Sequence, residues 1–135
     1  YEVTIQGARY GIPDPEDERY GRKMRDAKRT RLHQVAGEGD RLAYCYDFGD
    51  GWDHDLVIEA VHPRESKMRY PVCLAGEHAC PPEDCGGLGG YAEFLEAISD
   101  PAHERHEELL TWIGGSFDPE RFDLNAVNAR LRRLR

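Results

Sequence analysis

Apolar and polar residues alternate in the first half of the chain, and this alternation predicts β-strands. In residues 1–7, Val3 and Ile5 alternate with polar neighbours, which is the period of a strand with one buried face. Residues 42–48 and 54–61 are also strand-like, and both faces of this pair are substantially apolar. We therefore expect the pair to form a hairpin near the centre of a sheet.

The turn of this hairpin is predicted by the dipeptide Asp50-Gly51. Both central positions of the favoured two-residue turn need positive φ angles, which aspartate and glycine tolerate. A turn at this dipeptide sets the register of the strands, and that register makes Asp47 and His54 cross-strand neighbours.

The last third of the chain predicts three helices. In the first and last of them, apolar residues recur with helical spacing. These residues are Tyr91, Phe94, Leu95 and Ile98, and then Leu124, Val127, Leu131 and Leu134. Asp100-Pro101 predicts the start of the middle helix and Gly114 its end, and Asp123 is the expected N-cap of the last one. Strands followed by helices indicate an α+β fold, an antiparallel sheet with a central hairpin and the C-terminal helices packed on it.

No regular element is predicted between residues 63 and 90, yet this stretch holds "CLAGEHACPPEDCGG" at residues 73–87. Three thiols and an imidazole here could supply the four ligands of a zinc ion. The candidate ligands are Cys73, Cys80, Cys85 and His78. The alternative is that small thiols pack beneath a loop stiffened by prolines. The spacing lacks a C-x-x-C pair, so no cofactor is expected and zinc is the alternative left open.

Acidic residues form a second constellation, divided between the hairpin and this loop. Carboxylates with a histidine can bind a metal and activate water, which would make the protein a metal-dependent hydrolase. The candidate residues are Asp47, Asp50, His54, Glu83 and Asp84. The alternative is turn chemistry, because aspartate side chains accept hydrogen bonds from nearby backbone amides. Trp52, Pro81 and Pro82 are candidates for binding contacts.

Charge and composition limit the partners. The formal net charge is −8, which opposes binding to nucleic acid. Two stretches are basic in spite of this net charge: residues 19–31 and the tail from Arg130 to Arg135. We interpret both as solvated surface. No apolar run reaches the ~18 residues of a membrane span, and the four cysteines without a secretory signal indicate a cytoplasmic protein. An unidentified protein is the expected partner.

Three stretches together carry a family resemblance: "YDFGDGWDHDLVIE", "YPVCLAGEHACPPEDCGGLGGY" and "FDPERFDLNAVNARL". On these motifs the chain resembles the plasmid-Ri open-reading-frame-3-like proteins, which include passenger proteins of bacterial insertion sequences. The resemblance implies a single domain over residues 1–135 that lacks the N-terminal portion usual in the family, and it implies no reaction. We therefore expect a non-enzymatic accessory or binding module of mobile elements, with the metal-dependent hydrolase as the alternative.

Overall fold

The computed structural model describes residues 1–14, 16, 19, 21 and 23–134, and its fold is α+β, as predicted. The chain divides into two compact units, Tyr1–Pro63 and Arg64–Arg135. The first contains the sheet, and the second contains the helices that follow it. Whether the two fold as one domain stays a prediction.

The described part of the first unit contains a five-stranded sheet. Its strands are β1 (Glu2–Ile5), β2 (Ala8–Gly11), β3 (Met24–Asp26), β4 (Arg41–Tyr46) and β5 (Trp52–Val57). They are arranged in the order β3-β2-β1-β4-β5. All neighbouring pairs are antiparallel except β2 and β3, which are parallel. β1, the strand predicted from the alternation in residues 1–7, is the central strand.

Cross-strand packing on one face of the sheet forms the core of this unit. Ile5, Tyr10 and Leu42, from three neighbouring strands, are all buried there. β2 and β3 lie outside the predicted strands because each is short and contains few apolar residues. Thr30 could cap a short helix that ends at Gly37 or Gly39, but the structure contains two 3₁₀ turns here, Ala27–Arg29 and Leu32–Gln34.

The predicted hairpin is present, but it lies at one side of the sheet and not at its centre. Its register also differs from the prediction: His54 pairs with Tyr44, and Trp52 pairs with Tyr46. The loop therefore contains the five residues 47–51, and the expectation that Asp47 faces His54 is wrong.

The side chain of Asp47 explains this register. Asp47 has a positive φ of 52°, and its Oδ1 accepts hydrogen bonds from the amides of Gly49 at 2.8 Å and Asp50 at 3.4 Å. The Gly51 amide also donates to the Asp47 carbonyl at 2.6 Å. These bonds satisfy loop amides locally, so the strands separate after Tyr46 and do not continue to Asp50-Gly51.

An ion pair on the other face of the sheet makes the stability of this unit depend on pH. The Arg9 guanidinium donates to both carboxylate oxygens of Glu2, with 2.9 Å between Nε and Oε1. This hydrogen bond is the main reason why the pKa of Glu2 lies below its ordinary value of 4.5. Because folding lowers this pKa, the charged carboxylate stabilises the folded state above pH 4.5, and the contribution is lost as the pH falls through the folded-state pKa.

Glu2→Gln is therefore expected to lower the free energy of unfolding by about 0.5 kcal/mol at neutral pH, the range of partly exposed ion pairs. The difference from the wild type should become smaller as the pH falls through the folded-state pKa of Glu2. Urea unfolding at neutral pH and near pH 3 measures both quantities, and Glu59→Gln, which changes an exposed glutamate without an ion pair in the described structure, is the control. An equal loss at both pH values would contradict the role of the charge.

The second unit contains the helices α1 (Gly87–Ser99), α2 (His106–Ile113) and α3 (Leu124–Leu131). Phe94, Ala97 and Leu109 form its buried cluster, so the apolar face of α1 packs against α2. Packing of the helices on the sheet stays a prediction. α3 has no buried residue, and Leu131 is therefore not the core position that the apolar spacing predicted. No helix in the described ranges is long and apolar enough to cross a bilayer.

The observed ends of the helices agree only in part with the ends predicted from the sequence. Asp123 caps α3, since its Oδ1 accepts from the Ala126 amide at 2.9 Å, and Gly114 ends α2 with a φ of 91°. α2 begins later than predicted, because Asp100 accepts from the Ala102 amide at 2.9 Å and so caps a turn. The helix begins at His106, whose ring lies 2.8 Å from the Ala97 carbonyl oxygen, so this histidine connects α2 to α1.

Candidate functional site

A cleft of about 320 Å³ opens between α1, α2 and the loop that precedes α1. We call it the α1–α2 cleft. Its lining residues are Asp84, Cys85, Gly90, Glu93, Phe94, Arg105, Glu108, Leu109 and Trp112. The "PPEDCGG" motif thus contributes directly to one of the cavities of this unit.

The entry of this loop into α1 depends on unusual backbone angles. Asp84 and Gly86 have φ angles of 58° and 88°, which turn the chain back into the helix. The Cys85 carbonyl then lies so close to α1 that a Cβ added to Gly90 would be 1.9 Å from its oxygen. Glycine at position 90 therefore permits the close contact that forms one wall of the cleft.

Aromatic rings line the apolar part of the cleft. Phe94 is 2% exposed, whereas Trp112 is 47% exposed. Their ring centroids are 5.7 Å apart at an interplanar angle of 76°, the edge-to-face arrangement that aromatic pairs favour. Phe94 thus holds in place an indole ring that stays accessible from the cleft.

The polar part of the cleft contains one guanidinium and three carboxylates. Arg105 binds Glu93 at 2.6 Å, and it binds both carboxylate oxygens of Glu108 at 2.8 and 3.2 Å. These bonds raise the pKa of Arg105, chiefly through Glu108, and the hydrogen bond to Arg105 lowers the pKa of Glu108. In the described structure the Asp84 carboxylate has neither a hydrogen bond nor an ion pair. The cleft therefore carries an excess of negative charge.

The four candidate zinc ligands do not come together. His78 lies 3.1 Å from Glu120, the Cys73 thiol donates to the Ala75 carbonyl at 3.2 Å, and Cys80 is exposed. Only Cys85 lines the cleft. Over the described ranges, no three histidine, cysteine, aspartate or glutamate side chains are grouped so that they could hold a metal ion. Zinc binding stays a hypothesis from the sequence.

The five residues of the hydrolase hypothesis are divided between the two units. Asp47 caps its own loop, which also contains Asp50. His54 Nδ1 lies 3.1 Å from the Tyr44 carbonyl. Glu83 and Asp84 precede α1, and of the five only Asp84 lines the cleft. Turn chemistry thus accounts for Asp47, the residue on which the expected carboxylate–histidine pair depended.

The candidate binding residues also lie elsewhere. Trp52 pairs with Tyr46 across the hairpin, Pro81 and Pro82 are half-buried, and none of the three lines the cleft. Three cleft residues were not predicted from the sequence: Arg105, Glu108 and Trp112, which are spaced three and four residues apart. That spacing places side chains on one side of a helix, but charged residues around a helix start are more often simply solvated.

Comparisons with known proteins agree with the resemblance found from the motifs. The family model described as "Plasmid pRiA4b ORF-3-like protein" matches residues 1–126. The chain is 42% identical over 118 residues to the uncharacterized protein y4hQ of Sinorhizobium fredii, covering 86% of this chain and 59% of that protein. The chain thus spans less than two thirds of that relative's length.

A crystal structure shows the same fold in another protein. The protein of unknown function from Methanosarcina mazei Go1 superposes with a TM-score of 0.78 at 32% identity, over 93% of this chain and 70% of that one. Both relatives are described without a function. With the family model matching nearly the whole chain, this protein belongs to the plasmid pRiA4b ORF-3-like family.

Proposed function

We propose that this protein is a binding module and not an enzyme, and that the α1–α2 cleft receives a positively charged side chain, lysine or arginine, of a partner protein. The observation that carries the proposal is the combination of an accessible indole with three carboxylates, only two of which are bound to the single guanidinium.

Two forces would hold such a group. A cation over the face of tryptophan is attracted by the quadrupole of the ring, by about 0.5–1 kcal/mol at exposed sites, and Trp112 offers an exposed ring. Asp84 offers a carboxylate without a protein partner. The apolar stem of a lysine or arginine could lie along Leu109, which also lines the cleft, because these stems bury well against apolar surface.

The cellular setting of the proposal rests on the family. We propose that the protein acts in the cytosol as an accessory protein of mobile elements, as the resemblance to insertion-sequence passenger proteins implies. Reduced thiols are the rule in that compartment, and all four cysteines are free in the structure. The hydrolase alternative has no comparable support, since its candidate residues do not form a metal-binding group in the described ranges.

A fluorescence titration tests the cleft. In a Trp52→Phe background Trp112 is the sole tryptophan, and an acetylated and amidated Gly-Lys-Gly peptide should change its emission with saturation. The same peptide with an ε-acetylated lysine lacks the charge and should bind at least about tenfold more weakly, since a charged hydrogen bond is worth ~1.5–3 kcal/mol.

Two variants distinguish binding in the cleft from a general attraction of the peptide to an acidic protein. Asp84→Asn keeps the size of the side chain and tolerates the positive φ, and it should weaken binding about tenfold. Asp55→Asn removes the same charge from an exposed position on β5 outside the cleft and should have little effect. Equal affinity for the two peptides, or equal effects of the two variants, would refute the proposal.

A further inference from the structure

A second cavity, of about 170 Å³, carries the opposite charge. We call it the arginine cavity. Arg64, Arg69 and Arg132 line it together with Tyr70, Leu131 and Leu134. Two of the arginines come from the irregular segment after the sheet unit, and the third follows α3 directly. The fold of the helical unit thus brings together arginines that are more than sixty positions apart in the sequence.

The three guanidinium groups are not neutralised by the protein. No aspartate or glutamate lines the arginine cavity, and within the described ranges none of the three arginines forms an ion pair. Arg9, Arg29 and Arg105, by contrast, each bind a carboxylate. Like charges around one cavity repel each other, and a bound anion removes that repulsion.

The charge of this cavity is opposite to that of the chain as a whole. The formal net charge is −8, whereas the described residues that line the arginine cavity include three arginines and no carboxylate. Salt screens charges beyond about 10 Å at 0.1 M ionic strength, so an anion in contact with the cavity would experience mainly the three arginines. The local charge therefore decides what binds there.

We infer that the arginine cavity binds the phosphate group of a phosphate ester. Guanidinium groups form paired hydrogen bonds with phosphate oxygens, and a phosphomonoester carries about −1.5 to −2 charges at neutral pH. Tyr70 and Leu134 are 47% and 64% exposed and provide an aromatic and an apolar surface for the organic part. A free nucleotide and the 5′ end of a nucleic acid share this chemistry.

Calorimetric titration of the full chain with AMP and with adenosine tests the phosphate. AMP should bind with saturation, and adenosine at least about tenfold more weakly. Arg69→Gln and Arg132→Gln should each weaken AMP binding about tenfold. Arg41→Gln removes an exposed, unpaired arginine of β4 outside the cavity, and it should change the affinity less than twofold. The unfolding midpoints should stay close to that of the wild type, because the substituted side chains make no ion pair.

A second arm identifies the source of the phosphate. Decathymidylate with a 5′ phosphate is titrated at about 50 mM and about 200 mM salt. Tighter binding than AMP, with a steep salt dependence, assigns the cavity to nucleic acid, and binding equal to AMP assigns it to free nucleotides; both support the phosphate site. The inference is overturned if AMP does not bind, if adenosine binds equally well, or if Arg41→Gln weakens binding as much as the cavity variants do.

Discussion

Phe94→Ala is expected to lower the free energy of unfolding by about 3–5 kcal/mol, the range measured for truncation of a buried phenylalanine. Phe94 is 2% exposed, and it contacts Phe117 and Trp112 with ring centroids 5.3 and 5.7 Å away. Alanine would leave a cavity in the middle of these rings, since close-packed neighbours relax only in part.

Urea unfolding followed by circular dichroism measures this loss. Phe48→Ala is the matched control, because Phe48 is 67% exposed in the hairpin loop and should change the stability by less than about 0.5 kcal/mol. A similar small effect for Phe94→Ala would show that the aromatic cluster is not the core of the helical unit. Loss of Phe94 should also release Trp112, so peptide binding in the α1–α2 cleft is expected to weaken with the stability.

Gly90→Ala is expected to destabilise the protein by about 1–3 kcal/mol, the usual cost of inserting an extra carbon into a packed site. The new Cβ would lie 1.9 Å from the Cys85 carbonyl oxygen and 2.8 Å from its carbon. Because both are backbone atoms, the loop has to move away from α1 to make room. The cleft would change shape, since Cys85 and Gly90 both line it.

The neighbouring Gly89 provides the control, because its replacement by alanine is expected to raise the stability and not to lower it. A Cβ at Gly89 would have no atom within 4 Å, and alanine there should stabilise α1 by about 0.5–1 kcal/mol because it is the better helix former. Thermal unfolding of the two variants side by side measures the difference. If Gly90→Ala stabilised the protein as Gly89→Ala is expected to, the close contact between the loop and α1 would be disproved.

The hairpin shows what a local sequence pattern can predict and what it cannot. The dipeptide Asp50-Gly51 correctly indicated a reversal of the chain between two strands. It did not reveal that the Asp47 side chain would accept bonds from the loop amides and lengthen the loop. The register of the strands depends on whether the loop amides bond to this side chain or to the opposite strand. Because they bond to the side chain, the register differs from the predicted one and His54 pairs with Tyr44.

The α1–α2 cleft shows a second limit. The sequence marked Asp84 and Cys85 through the "PPEDCGG" motif, and it marked Phe94 through helical spacing. It did not connect them with Arg105 and Trp112, because those residues approach the motif only when α2 packs on α1. A cleft is a property of that packing, and charged residues near a helix start have the same local pattern whether they line a cleft or face solvent.

The sequence by itself determined the elements whose signals are local: the alternating strand β1, the buried face of α1 and the Asp123 cap. It also correctly left residues 63–86 without helix or strand, although β5 ends earlier and α1 begins earlier than predicted. Tertiary structure alone decided which distant residues meet. β2 and β3 have too few apolar residues to be recognised alone, and pairing in the sheet makes them strands. The arginine cavity likewise forms only because folding brings Arg132 close to Arg64 and Arg69. The proximity of residues this far apart in the sequence depends on long-range packing, which no local pattern reveals.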